Sequence, residues 1–340
     1  MSKYNSIISK FKNRSMLVIG DVVLDQYIKG SVTRISPEAP VPIVLQQESF
    51  YTPGGAANVA NNLASLGANV TLVGKIGDDI EGVILKKELS KRHIHTNGIF
   101  VDARMDTIFK TRIIAQHQQV VRVDRENQLI EKEDEVKKNR IFPFLRRYIK
   151  DFDGIIISDY GKGIIDLELL NEVHGQAFKN KIPVIVDPKV EDLKFYGEVF
   201  SITPNKKEAE AALKTISQEA RKVFGIVSTK LEKKEEIEAN GQGLLNYLGV
   251  QSLLITLGEY GMYLFEHNKK PFPIATRAQE VFDVSGAGDT AISVFALSLS
   301  AGANLHQGAD MANYAAGVVV GKMGAVAIEL NELKQVIKTQ

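Results

Sequence analysis

Residues 283–290, Asp-Val-Ser-Gly-Ala-Gly-Asp-Thr, offer the most distinctive chemistry in the chain. Gly286, Ala287 and Gly288 are small enough to turn the backbone so that successive N–H groups converge on one point, and a small-residue, helix-like run over 290–301 follows them. Converging N–H groups at a helix start form an anion site, because the helix N-terminus adds positive potential. A carboxylate at Asp289 has a use there as a base. It takes a proton from a hydroxyl while the N–H groups hold charge developing on a phosphoryl group. The plain alternative is an N-cap aspartate after a glycine-rich turn.

Four further stretches carry polar groups at element ends. Gly54 and Gly55 lead into a helical pattern, which allows close approach of a ligand to the backbone. Asn58, one turn on, offers a donor and an acceptor suited to a polyhydroxylated ligand, or it simply stabilises the helix start. Asp21 and Asp25 follow an apolar run; ligands of open α/β sheets sit beyond strand carboxyl ends, so these carboxylates either accept from vicinal hydroxyls or face water. Asn205 and Glu208, with Lys206 and Lys207 between them, have the spacing of a capping box. The functional reading puts Glu208 on a water of hydrated Mg²⁺ and the lysines near phosphate. Thr256 and Gly258, with Gly261, end a strand in a tight turn fit for a nucleotide contact or a loop. Asp159-Tyr160-Gly161-Lys162 and Asp187-Pro188-Lys189 bring two lysines to the same sheet edge.

These groups need a scaffold that brings strand ends together. Apolar runs at 15–20, 70–74, 154–158, 183–187, 199–203 and 252–257 read as buried strands, and helix patterns at 56–66, 79–92, 166–179 and 206–213 alternate with them. The alternation predicts an α/β fold, a mostly parallel sheet with helices on both faces. Residues 27–47 and 98–124 break the pattern with β-branched residues, period-two patches and no useful helix. They read as antiparallel strands of a small separate sheet, a flap over the site or an edge extension. Residues 217–240 are charged and weakly patterned and read as a surface insertion.

Bulk properties narrow the function classes. The chain has 340 residues, 42 basic and 41 acidic, for a net charge of +1, so no global field favours nucleic acid or an anionic membrane. It has no cysteine, which excludes disulfides, thiolate metal sites and cysteine nucleophiles and fits a cytoplasmic protein. No apolar run reaches the roughly 20 residues of a membrane span. No GxxxxGK[ST] loop and no protein-kinase motif set is present.

Taken jointly, these motifs resemble those of the ribokinase-like, or PfkB, carbohydrate kinase family. Gly54-Gly55-Ala56-Ala57-Asn58, with Gly67 and Gly77, resembles its first signature; residues 283–290 resemble its second, with Val294 where Ala or Gly is usual; Asn205-x-x-Glu208 resembles its NxxE element. A narrower resemblance, to the heptose 7-phosphate kinases of lipopolysaccharide core synthesis, rests on residues 33–42 (Thr-Arg-Ile-Ser-Pro-Glu-Ala-Pro-Val-Pro), 158–163, 186–189 and 315–322 (Ala-Ala-Gly-Val-Val-Val-Gly-Lys).

The resemblance implies a single ribokinase-like domain over residues 1–340, with lid strands within about 22–47 and 98–124 and no C-terminal nucleotidyltransferase domain of the kind often fused to such kinases. It implies ATP near Asn205, Lys206, Lys207, Thr256, Gly258 and Asn313, and sugar under the lid near Asp21, Asp25, Gly54, Gly55 and Asn58. Asp289 is then the base acting on the anomeric hydroxyl of a heptose 7-phosphate, with Lys110, Arg112, Lys162 and Lys189 as candidates for the distal phosphate. Mg²⁺ is implied at Glu208 through water, and a monovalent cation such as K⁺ at Asp283 and the Ser285 carbonyl. The implied partners are a sugar phosphate, ATP and a second copy of the chain through the lid. Another sugar phosphate such as fructose 6-phosphate is the nearest rival. A non-catalytic binding protein is disfavoured by the intact 286–289 element, and a Rossmann oxidoreductase by the lack of G-x-G-x-x-G after the first strand.

Overall fold

The computed structural model describes residues 3–116, 118–126, 134–278 and 280–338. In chain order the strands are β1 Ser15–Gly20, β2 Val22–Ile35, β3 Pro42–Gly55, β4 Asn69–Ile76, β5 His95–Val101, β6 Ile108–Ala115, β7 Gln118–Arg125, β8 Gly154–Ser158, β9 Val184–Asp187, β10 Ser201–Ile202, β11 Ser252–Thr256, β12 Met262–Glu266 and β13 Phe272–Ile274. The helices are α1 Lys3–Ile8, α2 Ala56–Ser65, α3 Ile80–Lys91, α4 Phe142–Tyr148, α5 Leu167–Asn180, α6 Lys206–Thr215, α7 Gln218–Val223, α8 Lys234–Leu248, α9 Ala287–Ser300, α10 Leu305–Val319 and α11 Leu330–Lys338.

The main sheet has nine strands in the order β13-β12-β11-β10-β9-β8-β1-β4-β5. From β5 to β11 all neighbours run parallel, and β12 and β13 add an antiparallel edge. Apolar runs without polar alternation make sense here, because both faces are covered. In β1, Met16 and Val18 pack into one core with α2, α3, α9, α10 and α11, while Leu17 and Ile19 pack into a second with α4, α5, α6 and α8. The same alternation divides Ile156 from Ile155 and Ile157 in β8, and Leu254 from Leu253 and Ile255 in β11. Period-two side-chain placement thus splits one apolar run between two cores.

Caps set where helices begin. Asp79 accepts from the Gly82 N–H at the start of α3 and Asp166 from the Leu169 N–H at the start of α5, both at 2.8 Å. Asn205 and Glu208 form the expected capping box at α6, and Asn304 with Gln307 forms another at α10.

Four strands form a second sheet in the order β3-β2-β6-β7. It differs from the expected lid in three ways. Residues 95–101 belong to the edge of the main sheet beside β4, so only β6 and β7 of the 98–124 stretch lie in the second sheet. The β2 and β6 strands pair in parallel, although β2–β3 and β6–β7 are antiparallel. Strand β3 continues past 47 to Gly55 and leads straight into α2. Pattern within a strand cannot reveal its partner's direction; β6 returns to β2 only after passing through β4, α3 and β5.

Residues 217–240 are less peripheral than their charge implies. They contain α7 and the start of α8, and the fully buried Asn240 carboxamide oxygen accepts from the Val227 and Ser228 N–H groups at 2.9 and 3.1 Å. The α8 helix packs by close approach at Gly241, where an added Cβ would lie 2.2 Å from Cζ of the fully buried Phe265. Gly241→Ala is therefore expected to destabilise the fold by about 1–3 kcal/mol through overpacking. Denaturant melts would read this as a lower midpoint at unchanged slope; an unchanged midpoint would show that Phe265 can move aside.

Candidate active site

Four parallel strands end around one cavity of about 190 Å³. Asp159 and Tyr160 reach it after β8, Asp187 and Lys189 at the end of β9, Thr203, Asn205 and Glu208 after β10, and Thr256 from β11. The start of α9 closes it with Gly286, Gly288 and Asp289.

The α9 helix begins one turn earlier than the small-residue run suggested. Gly286 is its N-cap with φ +78°, a left-handed conformation natural to glycine. A Cβ at Gly286 would also stand 3.0 Å from Nδ2 of Asn58, whereas Gly288 has open space. The Ala287 N–H is turned to the Val284 carbonyl at 3.3 Å, so it is partly engaged, contrary to the expectation of a free donor. The N–H groups of Gly288 and Asp289 have no partner among the described residues and remain available to an anion.

Asp289 is 6 % exposed and is gripped from two sides. Asn58 Nδ2 donates to Oδ2 and the Tyr160 hydroxyl donates to Oδ1, both at 2.7 Å. Burial pushes the carboxyl up to about 6, aided by the nearby Asp25 charge and opposed by these two hydrogen bonds. Asn58 is 1 % exposed, and its Oδ1 is buried without a partner. A native buried acceptor of this kind calls for a donor from outside the chain. Behind this pair, Asn62 ties α2 to α9, accepting from Thr290 Oγ1 at 2.9 Å, and Ser293 Oγ donates to the Val59 carbonyl at 3.1 Å.

The other predicted residues fall into distinct places. Asp25 pairs with Arg112 at 2.6 Å, and a Cβ at Gly54 would stand 2.4 Å from its other oxygen, so Gly54 is required by this carboxylate. Burial pushes Asp25 up and Arg112 pulls it back. Gly55 has φ +58°, and a Cβ there would meet the Asp21 carbonyl at 2.6 Å. Asp21 does not offer its carboxylate to the cavity. It accepts from the N–H groups of Tyr160 and Lys162 at 3.0 Å and of Ile164 at 3.2 Å.

The four cationic candidates are not brought together. Lys110 reaches Glu126 at 2.9 Å and Lys162 pairs with the same carboxylate, which these lysines hold at about 2. Arg112 belongs to Asp25, and Lys189 lies across the main cavity beside Glu208 and Asp187.

On the strand-end side, Glu208 Oε2 accepts from the Asn205 N–H at 2.9 Å, and burial raises its carboxyl while that bond and Lys189 oppose the rise. Lys206 lines a neighbouring cavity of about 550 Å³ with Leu257 and Tyr260, whereas the exposed Lys207 lines neither cavity. Gly258 opens the short turn between β11 and β12 with φ +61°. Asn313 Nδ2 donates to the Ala275 carbonyl at 2.7 Å, holding the segment after β13. Asp283 accepts from the Ser285 and Gly324 N–H groups at 2.9 Å; partial burial works to raise it, but these bonds keep it below the ordinary range.

Two groups were not picked out for their own chemistry. Tyr160 touches the buried carboxylate, and burial together with that charge pushes its phenol well above its ordinary value. Asp187 carries a carboxyl raised far above its usual range by burial and by Asp289, Glu208 and Asp159. Their one legible signal was position, at or just beyond the end of a buried strand.

A profile of the family described as pfkB family carbohydrate kinase matches residues 13–331. The bifunctional protein HldE of Desulfatibacillum aliphaticivorans is 40% identical over 98% of this chain, and that of Haemophilus influenzae strain PittEE is 39% identical over 99%. The chain spans 65% and 66% of the length of these two relatives. Among solved structures, Escherichia coli phosphofructokinase-2 in complex with substrates and products superimposes with a TM-score of 0.74 at 19% identity, covering 96% of this chain and 99% of that one. Arabidopsis thaliana ribokinase complexed with ribose and ATP gives 0.69 at 19% identity, covering 96% and 99%. The fold is ribokinase-like.

Carboxylate ¹³C NMR is expected to show Asp289 titrating near pH 6, against about 4 for an ordinary aspartate. Asn58→Ala should raise that midpoint, because a donor favouring the anion is lost. A midpoint at or below 4 would refute the desolvated environment.

Proposed function

On the premise that this chain belongs to the pfkB family of carbohydrate kinases, we propose that it moves the terminal phosphoryl group of ATP to the anomeric hydroxyl of D-glycero-β-D-manno-heptose 7-phosphate. The observation that carries the reading is a buried carboxylate in the first turn of α9, beside the unpartnered N–H groups of Gly288 and Asp289. A base and an anion cradle on the same helical turn are what phosphoryl transfer to a hydroxyl requires. The heptose motifs, and relatedness over 98% and 99% of this chain to part of two bifunctional HldE proteins, support the choice of sugar.

The acceptor hydroxyl passes its proton to Asp289 as its oxygen bonds to the γ-phosphorus. The bond from that phosphorus to the β–γ bridging oxygen breaks, and ADP leaves with the electron pair. Because burial holds Asp289 near 6, it is ionised at neutral pH yet basic enough to accept the proton. The Gly288 and Asp289 N–H groups face the transferring phosphoryl; one such donor is worth roughly 3–4 kcal/mol in the transition state. The Oδ1 of Asn58 accepts from a sugar hydroxyl, and Asp25, held by Arg112, accepts from a second. Lys110 and Lys162 receive the distal phosphate in place of Glu126, and Lys189 serves the phosphates of the nucleotide.

The donor set around the cavity fits Mg²⁺. Asp187 and Glu208 line it with hard oxygen acceptors, and Lys189 is the cation among the lining side chains. Among the described residues no three acidic or histidine groups form a direct cage, so Glu208 and Asp187 would hold the ion through water and phosphate oxygens. When bound it would neutralise charge on the phosphates. A monovalent cation such as K⁺ would sit at Asp283, whose carboxyl stays ionised, and the Ser285 carbonyl. Among the described residues no helix is long and apolar enough to cross a membrane; we place the reaction in the cytoplasm, where ATP is supplied.

A homodimer through the second sheet is supported by its outward apolar side chains. Ile35, Leu45, Val121 and Val123 are all more than 40% exposed, and free edges at β3 and β7 invite pairing. Light scattering is expected to give twice the chain mass and a Val121→Lys/Val123→Lys variant the monomer mass; a wild-type monomer would remove the dimer.

The test of activity is phosphorus NMR with ATP, Mg²⁺ and either the heptose 7-phosphate or fructose 6-phosphate. A new anomeric phosphate on the heptose, with little hexose turnover, is expected; preferred hexose turnover would overturn the substrate. Asp289→Asn should lower kcat by about 10²–10⁴-fold, the range of general-base catalysis, with folding intact. Near-normal turnover in that variant would remove Asp289 as the base.

A further inference from the structure

We propose that Tyr160 is a positioning residue for the base: its phenol, set by a loop that Asp21 holds, aims the Asp289 carboxylate at the acceptor hydroxyl. The inference rests on the reading of Asp289 as base, and it assigns the Tyr160 phenol a function separate from that of Lys162 in the same loop.

A carboxylate on a free side chain rotates about its last torsion, so one hydrogen bond leaves its direction open. Asp289 has two, from opposite walls. Asn58 on α2 holds Oδ2 and Tyr160 after β8 holds Oδ1, each at 2.7 Å. Two donors on two oxygens fix the plane of the group. Each oxygen keeps a lone pair for a hydroxyl proton.

The tyrosine can act as a reference point only if its own backbone is fixed, and it is. Asp21 is 4 % exposed and accepts from the Tyr160, Lys162 and Ile164 N–H groups. Asp159 accepts from the Gly161 N–H at 2.7 Å, and Gly161 takes φ +67° to complete the turn. Two carboxylates at the ends of β1 and β8 thus immobilise the loop carrying the phenol. Asp21 serves the reaction through this loop.

The phenol is not a competing base. Burial and the Asp289 charge push it well above its ordinary value, so it is a donor at neutral pH. Besides Asn58 and Tyr160, the charged groups acting on Asp289 are Asp25 from β2 and Asp187 from β9, both acidic, with Lys189 across the cavity. Among the described residues no arginine or lysine pairs with Asp289 directly. The two hydrogen bonds are what favour its anion, and loss of the phenol would leave Asn58 alone against burial and like charge.

Tyr160→Phe keeps the ring and removes the donor. In the sugar-free protein, the ¹³C titration of Asp289 is expected to move up from about 6 by a factor of about ten in proton affinity, the worth of one hydrogen bond to a charged group. With ATP and the accepted sugar phosphate, kcat at pH 7 should fall at least tenfold while both KM values stay within about threefold; about twofold of that loss, the fall in ionised fraction, should return as pH rises. Asp21→Asn, which disturbs the loop and leaves the phenol in place, should reproduce the loss in kcat. An unmoved titration midpoint in folded Tyr160→Phe would overturn the proposal. So would a kcat loss equal at all pH values and accompanied only by a lower melting temperature. The titration needs no substrate, so it stands even if the sugar is misassigned or Asp289→Asn retains turnover.

Discussion

Keeping an ionisable carboxylate almost out of water at the mouth of an apolar sheet is costly, and much of this molecule serves that end. Asp289 stands in the first turn of α9, where the helix field favours its anion and burial opposes it. The balance leaves a group basic enough to take a proton and acidic enough to be charged at neutral pH. It holds only if the donors around the carboxylate stay in place, and those donors come from α2 and from the loop after β8.

The scaffold keeps them in place by using the two faces of the sheet differently. On one face α2, α9 and α10 pack together through small residues, and Asn62, Thr290 and Ser293 bolt α2 to α9. Buried amide and hydroxyl pairs of this kind fix register, because any slip leaves them unsatisfied. On the other face α4, α5, α6 and α8 pack with larger aliphatic and aromatic groups and touch the site mainly through the start of α6. Glu208 is therefore a cap first: its Oε2 is committed to the Asn205 N–H, leaving the other oxygen for chemistry.

Much of this was legible in the sequence, and the remainder has physical reasons. The parallel strands announced themselves as uninterrupted apolar runs because both faces are buried, and Gly286, Gly288, Asn58 and Asn205 lay in motifs whose chemistry is local. Pairing was not legible. The parallel contact of β2 with β6 and the antiparallel edge of β12 and β13 depend on partners far along the chain. Nor was side-chain commitment. Asp21 and Asp25 look alike as carboxylates four residues apart, but one turns to backbone N–H groups and the other to Arg112. Lys110 and Lys162 looked like free cations until Glu126 was found between them. Tyr160 carried no motif weight of its own, because its partner lies 129 residues away.

The second sheet is rooted at the site. Strand β2 leaves β1 after a single residue, Asp21, and β3 ends at Gly55, whose successor donates its N–H to the Asp21 carbonyl at 3.0 Å. Each of these strands has 14 residues, which at 3.3 Å per residue makes an arm of roughly 45 Å. Rotation by about 5° at the root would carry the far end by roughly 4 Å over that length while shifting Asp25 and Gly54 by about 1 Å or less. The arm is thus a mechanical amplifier: rearrangements at the carboxylates too small to resolve directly become distance changes that a spin label or fluorophore at the tip would register.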